Sequence, residues 1–397
     1  MIDHNLDGWK FHAQTPKVIT FIVTKDCQLA CKYCYLVGKN SNGRMSLETA
    51  KKTVDYILDN RTFFNEDRVF FDFIGGEPFL EIDLIDAICD YIKIQMYEKQ
   101  HPWFNHYQFT FSTNGINYGS EKVQNFIQKN KTHLGITITI DGTKKKHDLN
   151  RIYKISGKGS YDDIIKNIPL WRRQFPDEAT KVTLSSEDLP YICESVLHLF
   201  ELNINKVFMN CVFEDVWKEG DDKVFEEQLM MLADVMIDNE LYVNKSCSVF
   251  DKKLGIPNVD NKNWCGSGKM LAIDCDGNFH PCNRFVDFSL REKKPRIIGN
   301  IHTGIDPNKV RPFVLLDLEH QSPEKCLKCE VSKGCAWCQG ENYDSAETDT
   351  IYERSTAICA MHKARVRANN YYWNKLQMHI ENGGKDYNHQ NNTIPLC

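Results

Sequence analysis

No apolar run in this chain approaches the roughly 20 residues that a membrane-spanning helix requires. The first residues, Met1-Ile-Asp-His-Asn-Leu6, lack the basic and apolar regions of a secretion signal. Positive charge is not in excess: 49 Lys and Arg stand against 54 Asp and Glu, a net charge of −5. That balance argues against a nucleic-acid polyanion as the main partner, and Lys144-Lys145-Lys146 reads as a solvated loop. What is abundant is cysteine, with 16 in 397 residues. With no sign of export, the expected setting is the reducing cytoplasm, where clustered cysteine points to metal rather than to disulfides. The clusters run from Cys27 to Cys34, from Cys265 to Cys282 and from Cys326 to Cys338. An apolar fraction of 42% is ample for a core, and the length suits two or three domains.

From Val18 to about Asn239, strand and helix signals alternate. Strands are expected at Val18–Val23, Val69–Ile74, Phe109–Thr113, Ile136–Ile140, Val182–Leu184 and Val207–Asn210. Helices are expected at Leu47–Leu58, capped by Ser46, and at Ile82–Gln95, Glu121–Lys129, Tyr161–Trp171, Tyr191–Leu202 and Val224–Asp238. Near-continuously apolar strands suit a parallel sheet covered on both faces. Six such units give an α/β fold, a partial (β/α)6 barrel, with its site at the C-terminal ends of the strands. The unusual residues fall there: Cys27 to Cys34 after the first strand, Gly75-Gly76-Glu77-Pro78 after the second, Asn114-Gly115 after the third and Asp141-Gly142 after the fourth. Ser185-Ser186 and Asn210-Cys211 follow the fifth and sixth.

The C-x3-C-x2-C spacing of Cys27, Cys31 and Cys34 lets three thiolates converge on one iron–sulfur cluster. A zinc site usually wants four ligands in pairs, and no fourth lies nearby. With Tyr33 before the last cysteine, the stretch resembles the radical SAM signature, and Gly75-Gly76-Glu77-Pro78 resembles the GGEP motif of the same superfamily. The resemblance implies a 4Fe–4S cluster whose open iron chelates S-adenosyl-L-methionine and splits it to a 5′-deoxyadenosyl radical. It also implies cofactor contacts from Tyr33, Gly75, Gly76, Glu77 and Thr139, and a carboxylate clamp at Arg151, whose guanidinium fork suits that role. Two glycines leave backbone close to a ligand, and Glu77 adds charge or holds the turn.

After about Val243 the apolar periodicity weakens. Leu271 to Cys282 reads as a hairpin turning at Asp276-Gly277. Cys265 and Cys282 fit C-x11-G-x4-C, and Cys326-x2-Cys329-x5-Cys335-x2-Cys338 then precedes Cys359. This third of the chain resembles a SPASM domain, although the usual last spacing of x3 is x2 here. By that resemblance Cys265, Cys282 and Cys338 hold one auxiliary 4Fe–4S cluster, and Cys326, Cys329, Cys335 and Cys359 hold a second. Cys275 sits too far from Cys282 along the hairpin, at about 3.3 Å per residue, and reads as a free thiol. The first auxiliary cluster then has an open iron for a substrate thiolate. A zinc ribbon on Cys326, Cys329, Cys335 and Cys338 is the competing reading. The expected domains are an N-terminal extension at 1–17, the radical SAM core at 18–242, and the auxiliary-cluster domain with a C-terminal helix and tail at 243–397.

Cys265-Gly-Ser-Gly-Lys-Met-Leu-Ala272, Gly334-Cys-Ala-Trp-Cys-Gln-Gly340 and Ala360 to Asn369 are similar to radical SAM peptide maturases whose targets carry CXXX repeats. That resemblance implies a Cys-rich precursor peptide as partner and thioether crosslinks from Cys sulfur to a substrate carbon. It also implies an electron donor such as flavodoxin or ferredoxin. About 17 residues precede the first strand, far fewer than the ~50 of an independent domain. Leader recognition therefore falls to the barrel and SPASM surfaces or to a separate leader-binding protein. The alternatives are an anaerobic sulfatase maturase forming formylglycine, whose carboxylate base would follow the hairpin cysteine where this chain has Asn283, and a non-catalytic, metal-stabilised peptide scaffold. Asn283 cannot accept a proton as a carboxylate does.

Overall fold

The computed structural model describes residues 16–41, 43–257, 261, 265–335 and 337–386. Most of the expected extension at 1–17, and Cys397, lie outside the described residues.

Six parallel strands alternate with helices: β1 Lys17–Thr24, β2 Val69–Gly75, β3 Tyr107–Thr113, β4 Leu134–Ile138, β5 Thr180–Leu184 and β6 Lys206–Cys211. The intervening helices are α1 Leu47–Asp59, α2 Ile82–Glu98, α3 Glu121–Asn130, α4 Lys144–Asn150, α5 Tyr161–Ile164, α6 Ile168–Gln174 and α7 Ile192–Glu201, with α8 Asp221–Asp238 after β6. Ser46 caps α1 as expected, its hydroxyl accepting from Thr49 N at 2.9 Å. The single helix expected at Tyr161–Trp171 is instead α5 and α6 joined by a tighter turn at Ile165–Asn167. Pro169 supplies no N–H, which favours a fresh helix start there.

Alternation in β1 to β3 separates two faces. On one, Phe21 stacks on Phe73 at 5.5 Å and Phe73 on Phe111 at 5.3 Å, inside the main core under the helices. On the other, Thr20, Asp72 and Thr110 stand in register and hydrogen-bond across the strands. The expectation of strands apolar on both faces therefore holds for one face only; the other carries the polar lining of an open half-barrel.

The parallel ladder breaks between β4 and β5. A side chain spans the gap: Thr180 Oγ1 donates to Ile138 O at 2.8 Å, and Ile140 N donates to Thr180 Oγ1 at 3.3 Å. Asp141 adds a second tie by accepting from Thr183 N.

Beyond α8, β7 Ser246–Cys247 extends β6. The expected hairpin forms from β8 Leu271–Ile273 and β9 Asn278–His280, with Gly277 at φ +83° in its turn. It adds to the barrel's first edge, because β8 pairs parallel with β1, Ile19 opposite Leu271. Two short strands, β10 Gly299–Asn300 and β11 Gly304–Ile305, continue that sheet. The long helix Cys359–Glu381 closes back on α8 through Arg367–Glu226 at 2.6 Å and Lys375–Asp234 at 2.7 Å. Among the described residues no helix is long and apolar enough to cross a membrane.

Candidate functional site

The loop leaving β1 carries Cys27, Cys31 and Cys34, and the barrel's own backbone braces it. Gly76 N donates to Thr24 O at 3.0 Å and Glu77 N to Asp26 O at 2.9 Å. Ala30 N donates to Ile152 O and Lys32 N to Asn150 O, tying the same loop to the end of α4 and the segment beyond it. The glycines of Gly75-Gly76 make this approach feasible. A Cβ on Gly75 would lie 2.4 Å from Thr24 O, and one on Gly76 would lie 2.2 Å from Asp26 O. Their first duty is thus to let the cysteine loop lie against β2. The Gly76 and Glu77 N–H groups are spent on that contact and are not free for a ligand.

Glu77 is buried and holds the turn rather than facing solvent. Its carboxylate accepts from Thr113 Oγ1 at 2.6 Å, Asn114 N at 2.8 Å and Phe79 N at 3.1 Å. Burial raises its pKa against the pull of those donors. Asn114 Nδ2 lies 4.0 Å from Cys27 Sγ and donates to Gln28.

Tyr33, Asp141 and Arg151 form one unit. The Tyr33 hydroxyl donates to Asp141 and accepts from Arg151 Nη1 at 3.0 Å. Burial opposes ionisation of Asp141, yet Lys146, Arg151 and the Tyr33 hydrogen bond hold its carboxyl below the usual range. His147 fixes the backbone around this unit. Its Nδ1 accepts from Asp141 N at 3.2 Å, so the proton sits on Nε2, which faces Ser160 Oγ at 3.0 Å. Ser160 in turn donates to Arg151 O at 2.9 Å. Burial and the neighbouring Arg151 push the His147 pKa down to about 3, which keeps the ring neutral. Arg151 is 6% exposed, and among the described residues its Nε has no hydrogen-bond partner. A buried, unsatisfied guanidinium N–H is costly; here it stands beside Cys31, Tyr33 and Glu77. Thr139, just past β4, is half-buried and its backbone N donates to Thr113 O.

The C-terminal cysteines sort into two neighbourhoods. Burial raises the Cys282 thiol, and the thiolates of Cys265 and Cys338 raise it further. Burial likewise lifts Cys335 to about 11, with Cys359, Cys326 and Cys329 adding to it. Cys282 thus has Cys265 and Cys338 as neighbours, and Cys335 has Cys326, Cys329 and Cys359. Cys275 joins neither: its Sγ donates to Ile22 O at 3.3 Å, packed with Leu36, Val286 and Phe288. Among the described residues no three Cys, His or carboxylate side chains are yet gathered closely enough to clasp a metal ion. The donor sets nonetheless fit iron–sulfur clusters, since each group offers thiols alone and soft thiolates suit iron. Burial raises Cys27 to about 11 and raises Cys31 as well, so metal binding there would release protons. The orphaned Arg151 Nε fits the carboxylate of an amino-acid cofactor.

Tyr35 links the two halves. It stands beside both Cys34 and Cys282, accepts from Asn283 Nδ2 at 2.7 Å, and carries the Arg284 guanidinium on its ring at 4.6 Å. A cavity of ≈ 390 Å³ opens here, between Tyr33 and Cys34 on one side and Glu214, Arg291 and Glu341 on the other. The sequence reading missed Glu214, Arg284 and Glu341. They are common residue types on a loop, a short turn of helix and the helix Gln339–Ser345, and only the fold brings them together.

Residues 21–185 match the radical SAM superfamily. An uncharacterized protein of Methanocaldococcus jannaschii is 27% identical over 291 residues, 73% of this chain and 89% of that protein. A serine-type anaerobic sulfatase-maturating enzyme of Bacteroides thetaiotaomicron is 23% identical over 78% of each chain. The subtilosin biosynthesis protein AlbA of Bacillus subtilis is 25% identical over 81% of this chain and 67% of its own. Among solved structures, anSMEcpe with bound AdoMet and Cp18Cys peptide superposes with a TM-score of 0.68 at 20% identity, covering 93% of this chain and 99% of that one. Streptococcus suis SuiB bound to precursor peptide SuiA gives 0.58 at 16% identity, covering 86% and 75%. At these identities the structural likeness speaks for the fold.

Proposed function

We propose that this chain, which carries a radical SAM domain, is a maturase that modifies a Cys-rich peptide by joining Cys sulfur to a substrate carbon. S-adenosyl-L-methionine and an iron–sulfur cluster, when bound, supply one-electron chemistry able to remove hydrogen from unactivated carbon. In this reading Cys27, Cys31 and Cys34 hold that cluster. Arg151 takes the cofactor's carboxylate on its free Nε edge, and Thr139 and the Gly75–Glu77 strap line the same pocket. Tyr33 and Asp141 keep Arg151 aimed. Cys326, Cys329, Cys335 and Cys359 hold one auxiliary cluster, and Cys265, Cys282 and Cys338 hold the other. A flavodoxin or ferredoxin delivers electrons, and a separate protein or the cavity rim reads the leader.

The observation that carries the crosslinking reading is the group of three. Cys265, Cys282 and Cys338 neighbour one another, and Cys275, the remaining cysteine of the hairpin, is turned away onto β1. Three thiols leave one position that a substrate thiolate can take. Similarity to AlbA, and to SuiB bound to its precursor peptide, supports a peptide substrate. A second reading, formylglycine formation, draws support from the similarity to the sulfatase-maturating enzyme. Against it, Asn283 occupies the place of the base, and Asp287 is engaged with Lys25 Nζ at 2.6 Å.

Mass spectrometry of a Cys-rich peptide co-expressed with this protein separates the two. Crosslinking removes two hydrogens per bond, keeps every sulfur and blocks thiol alkylation. An aldehyde that reacts with a hydrazide, with loss of sulfur from a Cys peptide, would establish the second reading instead.

A further inference from the structure

Building on that maturase reading, one proton still lacks an acceptor. The substrate's sulfur must lose its hydrogen, and Asn283 cannot take it. Four carboxylates line the cavity beside Cys34: Glu187, Glu214, Glu341 and Asp344. Two are committed and buried. Glu341 accepts from Arg291 Nη2 at 2.6 Å and Arg284 Nη2 at 3.2 Å with its side chain 5% exposed. Asp344 accepts from Arg291 Nε at 2.9 Å and is 4% exposed. Glu187 is exposed to bulk solvent.

Glu214, on the loop after β6, is the intermediate case. Its side chain is 20% exposed and Oε1 accepts from Arg284 Nη2 at 2.8 Å. Among the described residues no hydrogen bond reaches Oε2. Arg284 itself follows Cys282 by two residues, lies beside Cys338 and stacks on Tyr35. The Glu214–Arg284 pair therefore stands at the cavity wall between the first thiol group and the auxiliary one.

We infer that Glu214 is the catalytic base that takes the substrate's thiol proton. In this step the S–H bond breaks and an O–H bond forms on Oε2. Both electrons of the broken bond stay on sulfur, and nothing is oxidised or reduced. An ordinary carboxylate is a much weaker base than a thiolate, so the sulfur needs a positive neighbour. Arg284 provides it: negative charge passes from Glu214 to sulfur while staying within reach of one guanidinium, and an adjacent cation lowers an acid's pKa by about 1–3 units. The other charges lining this cavity are Glu341, Asp344 and Arg291, which pair among themselves or with Arg284, together with Lys32, Lys218 and Glu187.

The test uses the full chain, anaerobically reconstituted, with a synthetic peptide of repeated Cys-x-x-x units. Deoxyadenosine and modified peptide are measured together across pH. Glu214→Gln keeps the side chain's size and an oxygen for Arg284 but cannot hold the proton. The ratio of modified peptide to deoxyadenosine is expected to fall ~100-fold near neutral pH. It should recover as pH rises toward the thiol's own pKa of about 8.5, with Glu214→Asp intermediate and peptide affinity unchanged. An unaltered ratio and pH profile in Glu214→Gln would overturn the assignment. So would a loss that is equal at every pH and comes with weakened peptide binding, which is the mark of a merely structural ion pair. If the wild-type protein itself yields neither deoxyadenosine nor modified peptide, the maturase reading falls and takes this inference with it.

Discussion

The loop with Cys27, Cys31 and Cys34 and the block from Cys326 to Cys359 carry the same kind of ligand but are held in different ways. The first is fastened by other elements: the turn after β2 through Gly76 and Glu77, the end of α4 through Asn150 and the segment beyond it through Ile152, and Tyr153 through a bridge to Leu29. The second combines tight turns of its own with ties from Gly255 and Ile256 to Lys333 and from His362 to Val331 O. Cys326 N donates to Pro323 O, Cys329 N to Cys326 O, Ser332 N to Cys329 O and Cys335 N to Ser332 O. Its helices Leu318–Gln321 and Glu324–Leu327 are four residues each, too short to stand alone. The difference sets an expectation: the barrel loop keeps its backbone shape without metal, whereas the C-terminal block, with the proposed clusters bound, would gain more of its order from them.

The sharpest way to break that contrast is removal of the thiols or the metal. Cys27, Cys31 and Cys34 changed together to Ala should reduce deoxyadenosine formation to background while hydrogen exchange of β1 to β4 stays protected. Iron chelation should expose the amides of residues 322–359 and leave those strands protected; equal deprotection of both regions would refute the contrast.

Acid offers the next test, since it should strike the barrel side. His147 stays neutral in the fold down to about pH 3, whereas the unfolded ring gains its proton near 6.5. Unfolded chain therefore binds more protons between those values, and stability falls as pH drops from about 6.5 toward 3, by at most about 5 kcal/mol. His147→Gln should flatten that limb of a denaturant-melt series against pH.

Arg151→Lys should then weaken cofactor binding ~10–100-fold by isothermal titration, because Lys replaces a planar fork with a point donor and a charged hydrogen bond contributes about 1.5–3 kcal/mol. Tyr33→Phe should have the smallest effect, about 1 kcal/mol or a ~5-fold weaker affinity, since it only loosens the tie between Asp141 and Arg151. A larger effect from Tyr33→Phe than from Arg151→Lys would reverse the assigned roles.

Much of this was legible in the sequence because the signals were local. Apolar runs placed all six parallel strands, with ends shifted by a residue or two, and Ser46 announced α1. Asp276-Gly277 announced the hairpin. The glycine pair was seen but its task was not: nothing in Gly75-Gly76 reveals that Asp26 O will lie where a side chain would be. Asp72 was hidden inside an apolar run, and only register with Thr20 and Thr110 explains it. Glu214, Arg284 and Glu341 left no sequence signal, because their meeting depends on β8 adding to β1 and carrying the segment after Cys282 to the barrel mouth.

The most direct test of the account replaces Cys265, Cys282, Cys326, Cys329, Cys335, Cys338 and Cys359 with Ala and follows the reduced, iron-reconstituted protein by electron paramagnetic resonance. The account predicts a single 4Fe–4S signal that shifts when S-adenosyl-L-methionine is added. A signal that ignores the cofactor, or stoichiometric zinc in place of iron, would contradict it.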